Sequence, residues 1–575
     1  ALLKLQPNEV ADDFKYLKYI KLPAALVSLL VLAILNWWIL WVAGIAGLVL
    51  VLVSRSLKNW KILNYFWPLA IILVAVVFIL LNFNISDNLK TSQPVEIAPS
   101  FKASFGISRG ALTKDPLFGV GPENFSLAYD LYKPLSINNT VFWNLRFSEA
   151  TSEMFNALTS YGIVGFLAVI LLFGAGFKLG RKNYGLLSVF AVLAAAWVLY
   201  PYNMTLSFSF WLLLGLIALG ASREDDKLVI ALEKSPKHSL ITSVSFVSLL
   251  ILAVVGFYFV TLRFMANLKF ASAFSVPETD KQIQLVTEAI NLDKNEDLYS
   301  RSLAGLLSAK INRETQNLNG ASTEERQNIL GRIQNFSASA INLSTGTTAR
   351  HPNNLLNWSS RASVYENLIG VVDGSADWAV KMYEEYSKVS PRDPVPFLKI
   401  GNIYLSQADF MRQVNPAAFK NQIAQSLNSA EENYLKAVSL KPNYVLAIYS
   451  LGVVYERQGR IKDTITQLEL TKSANPLDAN IALQLGLLYY RNNQKDKSFA
   501  ELQRAITIFS DFSNARWYLA LVYEERGQID EALRELGKIR VLNPDNEILL
   551  NKIKELEEGK RSIPPGRVTG IQPLE

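Results

Sequence analysis

The sequence predicts an all-α protein: a polytopic transmembrane helical bundle followed by a soluble α-solenoid. Three observations carry this prediction. Residues up to about 262 are mostly apolar runs. Lysines and arginines cluster beside those runs, as membrane topology demands. The remaining, polar part repeats itself with a step of 34 residues.

Residues 22–53 carry no charge over 32 positions, more than the roughly 20 that cross a bilayer. Two spans meeting at Asn36, Trp37 and Trp38 fit, because tryptophan suits a membrane interface. Lys15, Lys18 and Lys21 then share the cytoplasmic side with Arg55, Lys58 and Lys61. Residues 63–81 lead outward, 83–150 form an external segment, and 155–177 return to Lys178, Arg181 and Lys182. Residues 186–199 and 204–219 make a hairpin turning at Tyr200, Pro201 and Tyr202. A charged cytoplasmic loop over 223–238 precedes a last span at 240–260. About seven spans result, and the positive-inside bias places everything after about 262 outside the cytoplasm. The chain opens on Ala1 without a signal-peptide layout, so a missing N-terminal part is expected.

In the polar part, Pro442, Pro476, Ser510 and Pro544 stand 34 apart, as do Gly452, Gly486 and Ala520, and Tyr455, Tyr489 and Tyr523. Leu468, Leu502 and Leu536 keep the step, with Thr464, Ser498 and Ala532 at the small position before them. Small residues where two helices cross, and proline ending the second helix, make the tetratricopeptide pattern. Ile400, Gly401 and Tyr404 read as another first helix. Ala430, Tyr434 and Ala437 supply its partner after an insertion over 415–425, and Ala379, Tyr383 and Pro391 suggest one more second helix. The expected boundaries are a membrane domain at 1–262 with its external loop at 83–150, degenerate helical repeats at 263–441, tetratricopeptide repeats at 442–560 and a flexible tail at 561–575, fraying from about 555.

Composition narrows the chemistry. There is no cysteine, which excludes disulfides and thiolate metal sites. With only His238 and His351, a multi-histidine metal centre is out of reach, and neither is read as a ligand. The formal charge of +7 lies beside apolar spans, so no nucleic-acid surface is read from it. The repeat tyrosines are read as packing residues, and Trp37, Trp38, Trp60 and Trp67 as an aromatic belt.

The ionisable groups that invite a catalytic reading lie in the external segment. Arg109 and Arg146, supported by Lys114, could clamp a diphosphate, because a guanidinium binds phosphate oxygens in pairs and keeps its charge. Glu149 and Glu153, four apart and on one face if residue 148 onward is helical, could supply a general base raised towards neutrality by burial. The plainer alternatives stand beside these: arginines held at lipid headgroups or paired with Glu149 and Glu153, and carboxylates that are solvated or structural. Gly119, Gly121 and Pro122 read as a tight turn, since no strand precedes and no Walker-type lysine follows.

Arg109 followed by Asp115-Pro116-Leu117-Phe118-Gly119-Val120-Gly121-Pro122 and Phe125 resembles the signature of the O-antigen ligase and polymerase superfamily. Tyr161-Gly162-Ile163-Val164-Gly165-Phe166 is similar to that family's entry into its next span. The resemblance implies glycan transfer outside the cytoplasm from a polyprenyl-pyrophosphate donor, without cofactor or obligatory metal, with Arg109 at a pyrophosphate-binding position. The family's His-Asn pair would fall near Thr151-Ser152, where this chain has no histidine; Glu149 and Glu153 are the replacement expected here. The partners implied are the lipid-linked glycan, membrane lipid and a protein on the concave face of the repeats. The rival reading is a non-catalytic membrane scaffold whose repeats recruit cell-envelope assembly partners.

Overall fold

The structure, a computed structural model, describes residues 17–56, 63–81, 97–181, 183–201, 203–221, 236–318 and 322–560. Lys15, Lys58, Lys61, Lys182, most of the charged loop expected at 223–238, the start of the external segment and the tail at 561–575 lie outside the described residues. Among the described residues the regular elements are helices and none is a strand. The chain divides into two compact units. The first comprises Ala1–Ile137 and Asn144–Phe257, the second Asn138–Trp143 and Tyr258–Glu575.

In the first unit, α1 (Leu17–Leu35) and α2 (Trp38–Ser56) are separated at Asn36, whose φ of 36° breaks the run where two spans were expected to meet. They do not fold back along one another; α2 instead packs against α7 (Tyr184–Leu199). Gly47 permits that approach, for a Cβ there would lie 3.0 Å from Ser188 O. α3 (Leu63–Leu81) lies beside α2, with Trp41 stacked on Phe78. The external segment forms α4 (Phe101–Lys114), capped by Ser100 Oγ accepting from Ala103 N, α5 (Phe125–Tyr132) and a 3₁₀ turn at Leu135–Asn139. α6 (Glu153–Gly180), α7 and α8 (Met204–Ala221) share an aromatic core in which Phe190, fully buried, meets Phe173, Phe177 and Phe210.

Two helices among the described residues are long and apolar enough to cross a membrane: Glu153–Gly180 and the Ser239–Ala273 part of α9 (Pro236–Ala273). Residues 240–260 of the second are apolar and exposed, while Ala266 and Ala273 farther along it are buried in the core of the second unit. Five further apolar helices, α1, α2, α3, α7 and α8, are 16–19 residues long, close to the roughly 20 that cross a bilayer.

The second unit stacks helices in consecutive antiparallel pairs. After α10 (Thr279–Leu292) come α11 (Asp297–Asn317) with α12 (Thr323–Arg350), α13 (Leu355–Asn367) with α14 (Ser375–Val389), and α15 (Val395–Val414) with α16 (Lys420–Leu440). The 34-residue period then sets in strictly: α17 (Val445–Arg457) and α18 (Ile461–Ala474), α19 (Ala479–Arg491) and α20 (Lys495–Ile508), α21 (Ser513–Glu525) and α22 (Ile529–Leu542). α23 (Glu547–Glu557) begins one further step along. Residues 555–557, expected to fray, are thus helical, because Leu549, Ile553 and Leu556 bury one face on the preceding pair.

Each first helix of a periodic pair closes with a left-handed residue, Gly459, Asn493 and Gly527 in turn. The next N–H then reaches back to the carbonyl of Tyr455, Tyr489 or Tyr523, the closing bond of a Schellman cap. Leu468, Leu502 and Leu536 are all buried between the helices, as their spacing predicts.

Candidate active site

The turn at residues 116–121 is built into a break in α6. Gly162 has φ 64° and ψ −161°, so Ile163 N and Val164 N cannot reach Thr159 O and Ser160 O four residues back. They donate instead to Pro116 O at 3.0 Å and Leu117 O at 3.2 Å. The two carbonyls left over accept from Val120 N and Gly121 N, each at 3.0 Å. Every main-chain group the break releases is therefore taken up by the turn, which offsets the cost of interrupting a largely apolar helix. The two sequence stretches that carry the resemblance meet here. α4 locks the same region: Ser108 and Thr159 hydroxyls are 2.7 Å apart, and Ser104 Oγ accepts from Thr151 N at 3.0 Å.

Glu149 and Glu153 converge, but not by helical spacing. α6 begins only at Glu153, and Glu149 sits in a bend before it. The bend is fixed by Asn156, whose Oδ1 accepts from Ala150 N at 2.7 Å while its Nδ2 donates to Glu153 Oε2 at 3.1 Å. Both carboxylates line a cavity of about 400 Å³ with Glu123, Phe125, Ser148, Asn156, Ser160 and Tyr161. Burial raises the Glu149 carboxyl above its ordinary value.

The three cations do not assemble into a clamp at this cavity. Arg146 is taken by Asp130: Nε donates to Oδ1 at 3.1 Å and Oδ2 at 2.8 Å, and Nη2 lies 2.6 Å from Oδ2. Asp130 is only 2% exposed, and it stands where Glu149 or Glu153 was the expected alternative partner of Arg146. Tyr129 supports the pair by donating to Leu145 O at 3.0 Å and resting edge-on against Phe147. Arg109 lies on the outer face of α4, one helical repeat from Lys102, while Ala103, Ser104, Ile107, Ser108 and Ala111 face inward. Arg109 and Lys114 make no hydrogen bond or ion pair among the described residues, and neither lines the cavity. Among the described residues no cluster of acidic, histidine or cysteine side chains is suited to a metal ion.

Two members of this arrangement escaped the sequence reading. Asp130 was legible as a lone carboxylate in the otherwise uncharged run of α5. Asn156 left no pattern, since its work is to join a bend to a helix start. His351 hydrogen-bonds through Nδ1 to the buried Asp297 at 2.8 Å, a structural contact within the second unit.

The tetratricopeptide repeat family matches residues 514–546. The chain is also similar to protein O-mannosyl-transferase TMTC3 of Homo sapiens, at 24% identity over 180 residues, or 28% of this chain. It spans 20% of that curated relative's length. Similar solved structures include a thermophilic TPR protein of Thermus thermophilus, at 23% identity and a TM-score of 0.27, covering 36% of this chain and 100% of that one. A tetratricopeptide repeat protein of Parabacteroides merdae shares 14% identity at a TM-score of 0.32, covering 51% of this chain and 99% of that one. The described residues are thus all-helical, with a tetratricopeptide repeat in the C-terminal part and two apolar helices of membrane-spanning length.

Proposed function

We propose that this is a membrane glycosyltransferase of the O-antigen ligase or polymerase type, transferring glycan from a polyprenyl-pyrophosphate donor outside the cytoplasm, with its repeats extracytoplasmic. One observation carries the reading: two carboxylates share a cavity whose other walls include amide, hydroxyl and aromatic groups. That mixture suits a sugar, with hydroxyls meeting carboxylates and a ring face meeting Phe125 or Tyr161. Among the described residues no cation lines the cavity, so it is the acceptor's place. The donor's diphosphate is assigned to Arg109 and Lys114, which have no ion-pair partner among the described residues, and Arg146 serves to hold the loop. In the transfer step the acceptor hydroxyl gives its proton to Glu149 as its oxygen bonds to the anomeric carbon. The diphosphate leaves with the electron pair of the broken C–O bond. The similarity to a human protein O-mannosyl-transferase supports sugar transfer as the class of reaction.

The scaffold reading has one observation of its own: the ion pair that consumes Arg146. Glycan transfer in membranes carrying Glu149→Gln, Glu153→Gln or Arg109→Ala separates the two. A loss of about 10²–10⁴-fold in Glu149→Gln is expected of a general base. Unchanged product in both carboxamide variants would remove the site assignment, and no product from the parent protein would leave the scaffold.

A further inference from the structure

Residues 138–143 lie in the middle of the external segment, yet they belong to the second unit. The contacts are specific. Asn138 is fully buried, and its carboxamide donates to Arg392 O and to Leu440 O, each at 2.9 Å. Lys441, 5% exposed, donates to Asn138 O at 2.6 Å and to Asn443 Oδ1 at 2.8 Å. Its ammonium also sits 4.9 Å from the centre of the Trp143 ring, which lies 5.2 Å from that of Tyr444. Trp143 packs on the apolar cluster that includes Leu398, Leu451 and Tyr455.

The two carbonyls come from corresponding places in the array. Arg392 follows α14 and Leu440 ends α16, so each belongs to the turn that leaves the second helix of a pair. Carbonyls at helix ends need donor partners from elsewhere. A primary carboxamide carries two donors on one nitrogen and can bridge two such turns at once. The buried ammonium of Lys441 in turn needs oxygen and ring faces around it, and the segment supplies one of each. Between the two anchors Val141 is 82% exposed, so recognition rests on the ends.

We infer that the turn at Arg392 and the turn at residues 440–444 form a docking site for a tightly turned segment with asparagine followed five residues later by tryptophan. Residues 138–143 fill it as a clasp. The inference stands apart from the transferase reading, because its readout is binding and not activity.

The test uses the full-length protein in detergent or nanodiscs, with hydrogen–deuterium exchange followed across the chain. Asn138→Ala and Asn138→Ala/Trp143→Ala should lower amide protection in residues 138–143 by at least about tenfold and leave residues 445–542 unchanged. Unchanged protection in 138–143 overturns the docking site. Loss of protection throughout the repeats overturns the clasp, for the segment would then be part of the array's own core. A fluorescent peptide of residues 136–145 gives a second, independent measurement. It should bind the double variant at least about tenfold more tightly than wild type, whose site is already filled, and lose that binding when Lys441→Met is added. Equal binding to wild type and double variant, or none to either, would also overturn the inference.

Discussion

Gly119 and Gly162 pass so closely that neither has room for a side chain: a Cβ on Gly119 would stand 2.3 Å from Thr159 O, and one on Gly162 2.4 Å from Leu117 O. Both hold left-handed backbone, at φ 66° and 64°. The turn and the helix break are one device, each supplying the hydrogen-bond partners the other lacks, and the carboxylate cavity takes Ser160 and Tyr161 from its edge.

Gly119→Ala and Gly162→Ala should each destabilise this junction by about 2–4 kcal/mol, combining the left-handed cost with displacement of backbone that cannot yield. The double variant should cost less than the sum, because the first substitution already unseats the turn. Thermal unfolding in detergent and exchange at residues 116–121 check both statements. Additive losses would show the two glycines to be independent.

Arg146→Ala should act through Asp130. Removing the guanidinium takes its cation from a buried carboxylate, and because Arg146 is itself partly exposed the expected cost is about 1–3 kcal/mol. Arg146→Ala/Asp130→Asn should recover most of the stability, and with it any glycan transfer lost in the single variant. Recovery of stability without recovery of transfer would return Arg146 to the donor site.

The parts of this fold that were readable in the sequence are those that repeat. Pro442, Leu468 and Gly452 announced the solenoid because each recurs at a fixed step, and stacked helix pairs force identical environments on identical positions. The left-handed cap at Gly459, Asn493 and Gly527 follows the same step and was equally available. The candidate site has no period. The turn at Gly119 and the break at Gly162 are each recognisable alone, but nothing local says that one supplies the other's hydrogen bonds. Glu149 and Glu153 line one cavity through a bend held by Asn156, where helical spacing was expected to bring them together. The pairing of Arg146 with Asp130 was not legible, because an arginine in a loop carries no mark of the buried carboxylate that it meets.

The Glu149 carboxyl, raised by burial, gives stability a defined pH dependence. A folded-state pKa above the unfolded value means that the folded chain binds the extra proton, so its contribution is fully present below the unfolded pKa. It is lost as pH rises through the folded one. Activity runs the other way, for a general base must be ionised to accept a proton. The acid limb of transfer should therefore lie above the ordinary glutamate range and disappear in Glu149→Gln, whose residual rate should be flat there. An acid limb unaltered by that substitution would assign the base elsewhere.

At the end of the array, Lys552 on α23 lies 2.7 Å from Glu524 on α21, with the two side chains 6% and 0% exposed. Each ion is tolerated in that interior only because the other is there. Lys552→Met should leave the Glu524 charge buried without its cation and cost about 3–5 kcal/mol. Replacing both, as Glu524→Leu/Lys552→Met, should restore stability to near that of the parent, because packed apolar groups dispense with the desolvation of both charges. Since α23 covers the exposed side of the last pair, the single variant should lose exchange protection first in residues 513–557 and leave earlier pairs intact, as expected where each repeat leans only on its neighbours. Thermal unfolding with exchange mass spectrometry reads both quantities. A double variant as unstable as the single one would mean that the ion pair fixes the geometry of the terminal helix and does more than neutralise its own charges.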